Sequence, residues 1–371
     1  MTMKKAILFD TLIFLTILSY SQNRKFYVGT FTSEGAEGIY LCNFNTKTGD
    51  ISLENTFKAI DDPSFLKISP NRQYLYVVTR GKDKIEKSGG YVASYKINKN
   101  GTIHFLNKQV SNGKDPCHVD VSRDGKFVAI SSYGSGTNSL FPVNDDGSLQ
   151  PASSVIENQG SGPDKTRQSA PHAHSMKFSP FNNQVYSADL GTDQFNIFYL
   201  EGEQLVKKGQ EYVKLAPGAG PRHFDFYPNE EVIYVISELN STITALKQVE
   251  NSWKKFQVVS TLPAGFKGNS FCADIHVSDD GKFLYGSNRG HNSIAVYSIN
   301  QDSKELKFID TVSTEGDWPR NFALSPDGKF MLVANQRSGN ITVFKINPEN
   351  GLPKFITKEI SLPSPVCIEF L

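Results

Sequence analysis

Apolar runs broken by a tight polar turn and resumed at once recur along this chain. Ile68-Ser69-Pro70-Asn71 leads into Tyr74-Leu75-Tyr76-Val77-Val78, and Val121-Ser122-Arg123-Asp124-Gly125 leads into Phe127-Val128-Ala129-Ile130. The pattern returns before Val185-Tyr186, Val232-Ile233-Tyr234, Phe283-Leu284-Tyr285 and Phe330-Met331-Leu332. The turns, at 69, 122, 179, 227, 278 and 325, recur roughly every fifty residues, a period that fits a four-stranded propeller blade. Pro pre-sets φ in such turns, and Asp-Gly or Asn supplies their unusual backbone angles.

A strand entrance lies six residues before each turn, at Pro63, Pro116, Ala173, Pro221, Cys272 and Pro319. A seventh entrance, Pro365, opens a first strand after which the chain stops. Its missing partner stands at the other end, where Phe26 to Thr30 reads as a second strand. The expected fold is all-β: a seven-bladed β-propeller whose last blade is closed by the N- and C-terminal strands, which hides sheet edges. The third residue past each entrance (Leu66, Val119, Met176, Phe224, Ile275, Phe322, Ile368) is apolar throughout, as is the fifth, and both are expected in the core between blades.

Composition narrows the function. With 39 basic against 38 acidic residues in 371, no global field argues for nucleic acid or an anionic membrane. Lys4 and Lys5 precede an apolar run from Ala6 to Leu18, and Ser19-Tyr20-Ser21 gives a small-x-small cleavage pattern. Residues 1–21 therefore read as a signal peptide, residues 22–371 as the propeller, and the mature protein as periplasmic or secreted and free of the membrane. Cys42, Cys117, Cys272 and Cys367 show no metal-ligand spacing and read as small buried apolar residues.

The mouth of the ring is where chemistry is expected. One position past the entrance the blades carry Ser64, Cys117, His174, Arg222, Ala273, Arg320 and Val366; the next position carries Phe65, His118, Ser175, His223, Asp274, Asn321 and Cys367. Second strands end at Arg80, Tyr133, Leu190, Glu238, Arg289 and Gln336. Core positions stay uniform while these diversify into His, Arg, Asn and Glu, so the set points to an anionic ligand. His172 and His174 share a strand face but lack a third ligand, so no metal and no cofactor is expected.

Pro171-His172-Ala173-His174, Gly220-Pro221-Arg222-His223-Phe224, Ser237-Glu238-Leu239-Asn240, Ser287-Asn288-Arg289-Gly290-His291 and Trp318-Pro319-Arg320-Asn321-Phe322 resemble the seven-bladed lactonase family. That family includes propeller-type 6-phosphogluconolactonase and carboxy-cis,cis-muconate cyclase. The resemblance implies a lactonase, a carboxylic ester hydrolase acting on a small anionic sugar-acid lactone. It implies His174, Arg222 and Glu238 as the catalytic set, and Arg289 and Arg320 as anion-binding. His118, His172, His223 and Asn321 join them as substrate-binding candidates at the mouth. Which of His174 and Glu238 is base and which is acid stays open, as do a cyclising isomerase and a non-catalytic envelope-binding propeller. An exported chain implies an unphosphorylated lactone.

Overall fold

The structure, a computed structural model, describes residues 23–58, 60–80, 89–229 and 231–371. The expected signal peptide lies outside these residues. Among them, seven antiparallel sheets form the blades, each sheet running from an inner strand outward. The inner strands are Pro63–Ile68, Pro116–Val121, Ala173–Phe178, Pro221–Phe226, Phe271–Val277, Pro319–Leu324 and Pro365–Phe370. We number the blades one to seven in that order. Six sheets have four strands; blade three has five, because Gln204–Val206 and Tyr212–Lys214 both pair with Gln194–Glu201. One 3-10 turn, Thr32–Glu34, is the helical element among the described residues. The ring closes as expected: Asn23–Thr30 pairs antiparallel with Pro365–Phe370, with Val28 opposite Ile368.

The recurrent serine explains the tight hairpins. Ser69, Ser122, Ser278 and Ser325 each accept, at Oγ, a hydrogen bond from the N–H five residues on, at 2.9–3.0 Å. Each hydroxyl donates in turn to the Asn or Asp two residues later. The turn then needs a left-handed residue, supplied by Gly125 (φ 74°), Gly281 (67°) and Gly328 (68°), and by Arg72 (60°) in blade one.

All seven third-position side chains are buried between blades. The fifth position is less uniform: Ile68, Val121 and Val277 are buried, while Phe178, Phe226, Leu324 and Phe370 are half-buried beside the hairpin turns. The fourth position holds Lys67, Asp120, Lys177, Asp225, His276 and Glu369, with Ala323 in blade six, at the end of the channel away from the mouth. Lys67 pairs with Glu369 and Lys177 with Asp225, both at 3.2 Å. Glu369, Asp120 and Asp225 also accept the N–H of Ile68, Phe178 and Val277 in the next blade, at 2.9–3.1 Å. These bonds stitch neighbouring blades where no sheet ladder crosses. All four cysteines are free and buried.

One irregularity places the site. At all seven inner strands the register to the second strand slips just past the entrance. The skipped residues are Ser64, Cys117, His174, Arg222, Ala273 with Asp274, Arg320 and Val366. A β-bulge re-aims a side chain that would otherwise point into the sheet. The residues that diversify between blades are thus the bulged ones around the channel.

Candidate active site

Arg222 owes its position to the chain before it. The buried Asp193 carboxylate accepts the N–H of Gly218 and of Gly220, each at 2.8 Å, and so fixes the approach to Pro221. Gly220 sits at φ 63°, where a Cβ would strike Leu239. The Gly220 carbonyl accepts the Glu238 N–H at 2.7 Å, which brings Arg222 and Glu238 level across the hairpin.

Glu238 is buried and gathers three guanidiniums. Arg289 Nη2 lies 2.7 Å and Arg222 Nε 3.2 Å from its Oε2, while Arg167 Nη2 lies 2.6 Å from Oε1. The Arg222 Nε–H is not aimed well enough to count as a hydrogen bond and has no other partner, so that contact is an ion pair only. Arg222 instead donates from Nη1 to the Ala273 carbonyl at 2.5 Å, and Arg289 donates to the carbonyls of Phe271 and Cys272. Arg289 and Arg337 both stack on Trp318, at 5.3 and 3.4 Å from its ring. Trp318 holds the left-handed φ of 68°, and its N–H donates to Asn292.

Burial alone would raise the Glu238 carboxyl. Arg289, Arg222 and Arg167 overcome it and hold the group at about 2. One carboxylate cannot satisfy three cations. Burial and Arg289 together lower Arg222 to about 10 despite Glu238. Arg320 falls well below the usual arginine range through burial and the charges of Arg222, Arg289 and Arg80. Glu238, Arg167, Arg289, Arg320, Arg337 and Trp318 line a cavity of about 660 Å³ at this mouth.

Beneath the arginines lies a chamber of rings. His223 meets both His118 and His174 edge-on at 5.4 Å, and His118 lies against Phe65 at 4.4 Å. His174 sits beside Tyr133, with Nδ1 3.9 Å from Cys117 Sγ. Burial, then the Arg222 charge, holds His174 well below its ordinary value. Burial and Arg222 also lower His223 to about 3, although Asp274 pulls the other way. Burial and His223 lower His118. All three rings are therefore neutral at neutral pH. His223 Nδ1 lies 2.7 Å from Asp274 Oδ1, which makes Nδ1 the protonated nitrogen and leaves Nε2 a buried acceptor without a partner.

The family model described as "Lactonase, 7-bladed beta-propeller" matches residues 25–370. This chain belongs to that lactonase family. The family member is 40% identical over 348 residues to the 6-phosphogluconolactonase of Bacillus subtilis, covering 93% of this chain and 97% of the relative. Among solved structures, a Bacteroides fragilis protein provisionally assigned as a 6-phosphogluconolactonase superposes with a TM-score of 0.88 at 34% identity, over 95% of this chain and 98% of that one. The periplasmic gluconolactonase of Pseudomonas aeruginosa superposes with a TM-score of 0.87 at 28% identity, over 94% and 99%.

Glu238, Arg289 and Arg320 of this lactonase-family chain line the mouth cavity, and Arg222 lies buried against Glu238. His174 lies with His118 and His223 among the rings beneath them. His172 lies outside it, its ring stacked on Tyr133 at 4.4 Å and its Nδ1 2.8 Å from the Tyr133 carbonyl. Asn321 is engaged internally: its Nδ2 donates to Asp274 at 2.5 Å, and its Oδ1 accepts the Ile368 N–H at 2.7 Å. Among the described residues, no group of three or more His, Cys, Asp and Glu is placed to hold a metal ion, and no helix is long and apolar enough to cross a membrane.

Reasoning from sequence passed over Arg167 and Arg337, and gave no role to Trp318, Arg80 and Asp274. Arg80 and Asp274 stand at repeat positions already singled out, so the signal was present. Arg167 and Arg337 come from loops outside the repeat and left none. Arg167 is delivered by Gln168, whose buried amide donates to Leu190 O and Asp193 Oδ1.

Proposed function

We propose that this chain hydrolyses a small anionic sugar-acid lactone at the arginine-lined mouth, and does so outside the cytoplasm. The observation that carries the reading is the surplus of buried guanidinium charge around Glu238, which an anionic substrate and a developing oxyanion would offset. Water attacks the lactone carbonyl and gives its proton to a base. Arg222 and Arg289 hold the tetrahedral oxyanion. The ring oxygen then leaves as a hydroxyl, taking the proton back and yielding the free acid.

We assign the base to His174 on geometry: both oxygens of Glu238 are taken up by Arg289, Arg222 and Arg167, whereas burial, and then the Arg222 charge, keeps the His174 ring neutral. Glu238 keeps the guanidiniums aligned. The test is turnover of sugar-acid lactones by the protein lacking residues 1–21, beside Arg222→Ala and His174→Gln. We expect each variant, where circular dichroism shows it folded, to lose on the order of 10² in kcat. Lactones opened no faster than in buffer, or by folded variants as fast as by wild type, would refute the reading.

A further inference from the structure

Two arginines at the mouth stand apart from Glu238. Arg320, on the bulge of blade six, and Arg80, just past the second strand of blade one, approach the same ring from opposite sides of blade seven. The Arg320 guanidinium lies 5.2 Å and that of Arg80 4.8 Å from the centre of Phe31. Among the described residues neither side chain makes an ion pair or a hydrogen bond, and the Arg80 Nε is buried with no partner. The nearby carboxylate of Glu34 is taken up instead by Gln336 and Ser364. A ring face softens the repulsion between two cations but accepts none of their in-plane N–H groups. Two donor forks on one ring, neither engaged by a carboxylate or carbonyl, suit an oxyanion with several acceptor oxygens.

We propose that Arg80 and Arg320 on Phe31 form a second anion site. It binds the remote carboxylate or phosphate of the substrate while the acyl group lies at Arg222 and Arg289. This rests on the lactonase reading and adds a specificity determinant: lactones carrying a distant anion are selected over neutral ones. The cavity that Arg320 lines, about 660 Å³, falls in the range of small-molecule sites.

Inorganic phosphate is the probe. Calorimetric titration at low ionic strength is expected to show binding to wild type, weakened about tenfold or more in Arg80→Gln and in Arg320→Gln. Melting temperatures establish that the variants fold. If Arg320→Gln does not fold, Arg80→Gln decides alone. No phosphate binding by wild type, or undiminished binding by the folded variants, would overturn the proposal. In kinetics, the ratio of kcat/KM for 6-phosphogluconolactone to that for gluconolactone is expected to fall about tenfold in each variant. An unchanged ratio with both lactones still opened would overturn the second site and leave the lactonase reading standing. Arg80-dependent phosphate binding without any lactone turnover would do the reverse.

Discussion

Glu238 accepts charge from Arg289, Arg222 and Arg167 at once, so its replacement has a cost in folding as well as in chemistry. Glu238→Gln leaves buried guanidiniums without their counter-charge, a change that typically destabilises by about 3–5 kcal/mol. A urea denaturation midpoint well below wild type is expected at pH 7; an unchanged midpoint would mean that water reaches these arginines freely. The histidine chamber gives a second residue-scale expectation. His118, His174 and His223 have lowered folded values, so the unfolded chain binds more protons as pH falls through the ordinary histidine value of about 6.5. Their contribution is full above that pH and is lost below it. His276 opposes this: burial lowers its proton affinity, but Asp274 more than restores it, so its contribution is lost as pH rises. His291, lowered by burial, adds to the three, while the carboxyls of Asp120 and Asp189, raised by burial, act with His276. Because four histidines stand against one at the ordinary histidine value of about 6.5, the melting temperature is expected to drop between about pH 6.5 and 5. A flat or rising profile would show that the chamber is hydrated.

At the scale of single elements, the hairpin turns offer a clean comparison. A Cβ at Gly125 or Gly328 would meet nothing within 4 Å, so only backbone strain opposes an alanine there. Gly125→Ala and Gly328→Ala should each cost about 1 kcal/mol, and Arg72→Gly should recover part of that amount, as read from equilibrium unfolding. The strands themselves were legible because side-chain alternation and turn chemistry are local. The entrances at Pro63, Pro116, Ala173, Pro221, Pro319 and Pro365 coincide with the first residues of the inner strands, and only in blade five does the strand begin earlier, at Phe271 instead of Cys272. The bulges were not legible as such. Their sign was side-chain diversity at one repeat position, which locates a mouth but not the direction of any group. The pairing of His223 with Asp274, and the use of Asn321 to bind Asp274 and blade seven, join strands about fifty residues apart. Nothing local encodes which of several polar mouth residues will meet. Arg167 and Arg337 were beyond reach because their loops carry no repeat register.

The whole molecule is a ring, and its integrity depends on one seam. Pro365–Phe370 pairs with Asn23–Thr30, and Glu369 reaches on to blade one through Lys67 and the Ile68 N–H. Removing residues 365–371 opens the blade, exposes a strand edge and strips the core around Val28 and Leu66. The truncated protein should aggregate or unfold, as seen by size-exclusion chromatography and circular dichroism; a monomer with the wild-type melting temperature would show that the remaining six blades close without it. The same ring sets Arg222, Glu238, Arg289 and Arg320, drawn from three blades, around one opening. The most direct test of that convergence is a crystal structure of the protein soaked with gluconate or 6-phosphogluconate, the acids its proposed reaction releases. The product carboxylate should lie within hydrogen-bonding distance of Arg222 and Arg289 and beside His174. An acid bound elsewhere, such as in the groove between Phe57 and Tyr95 on the outer strands, with the mouth empty, would contradict the account.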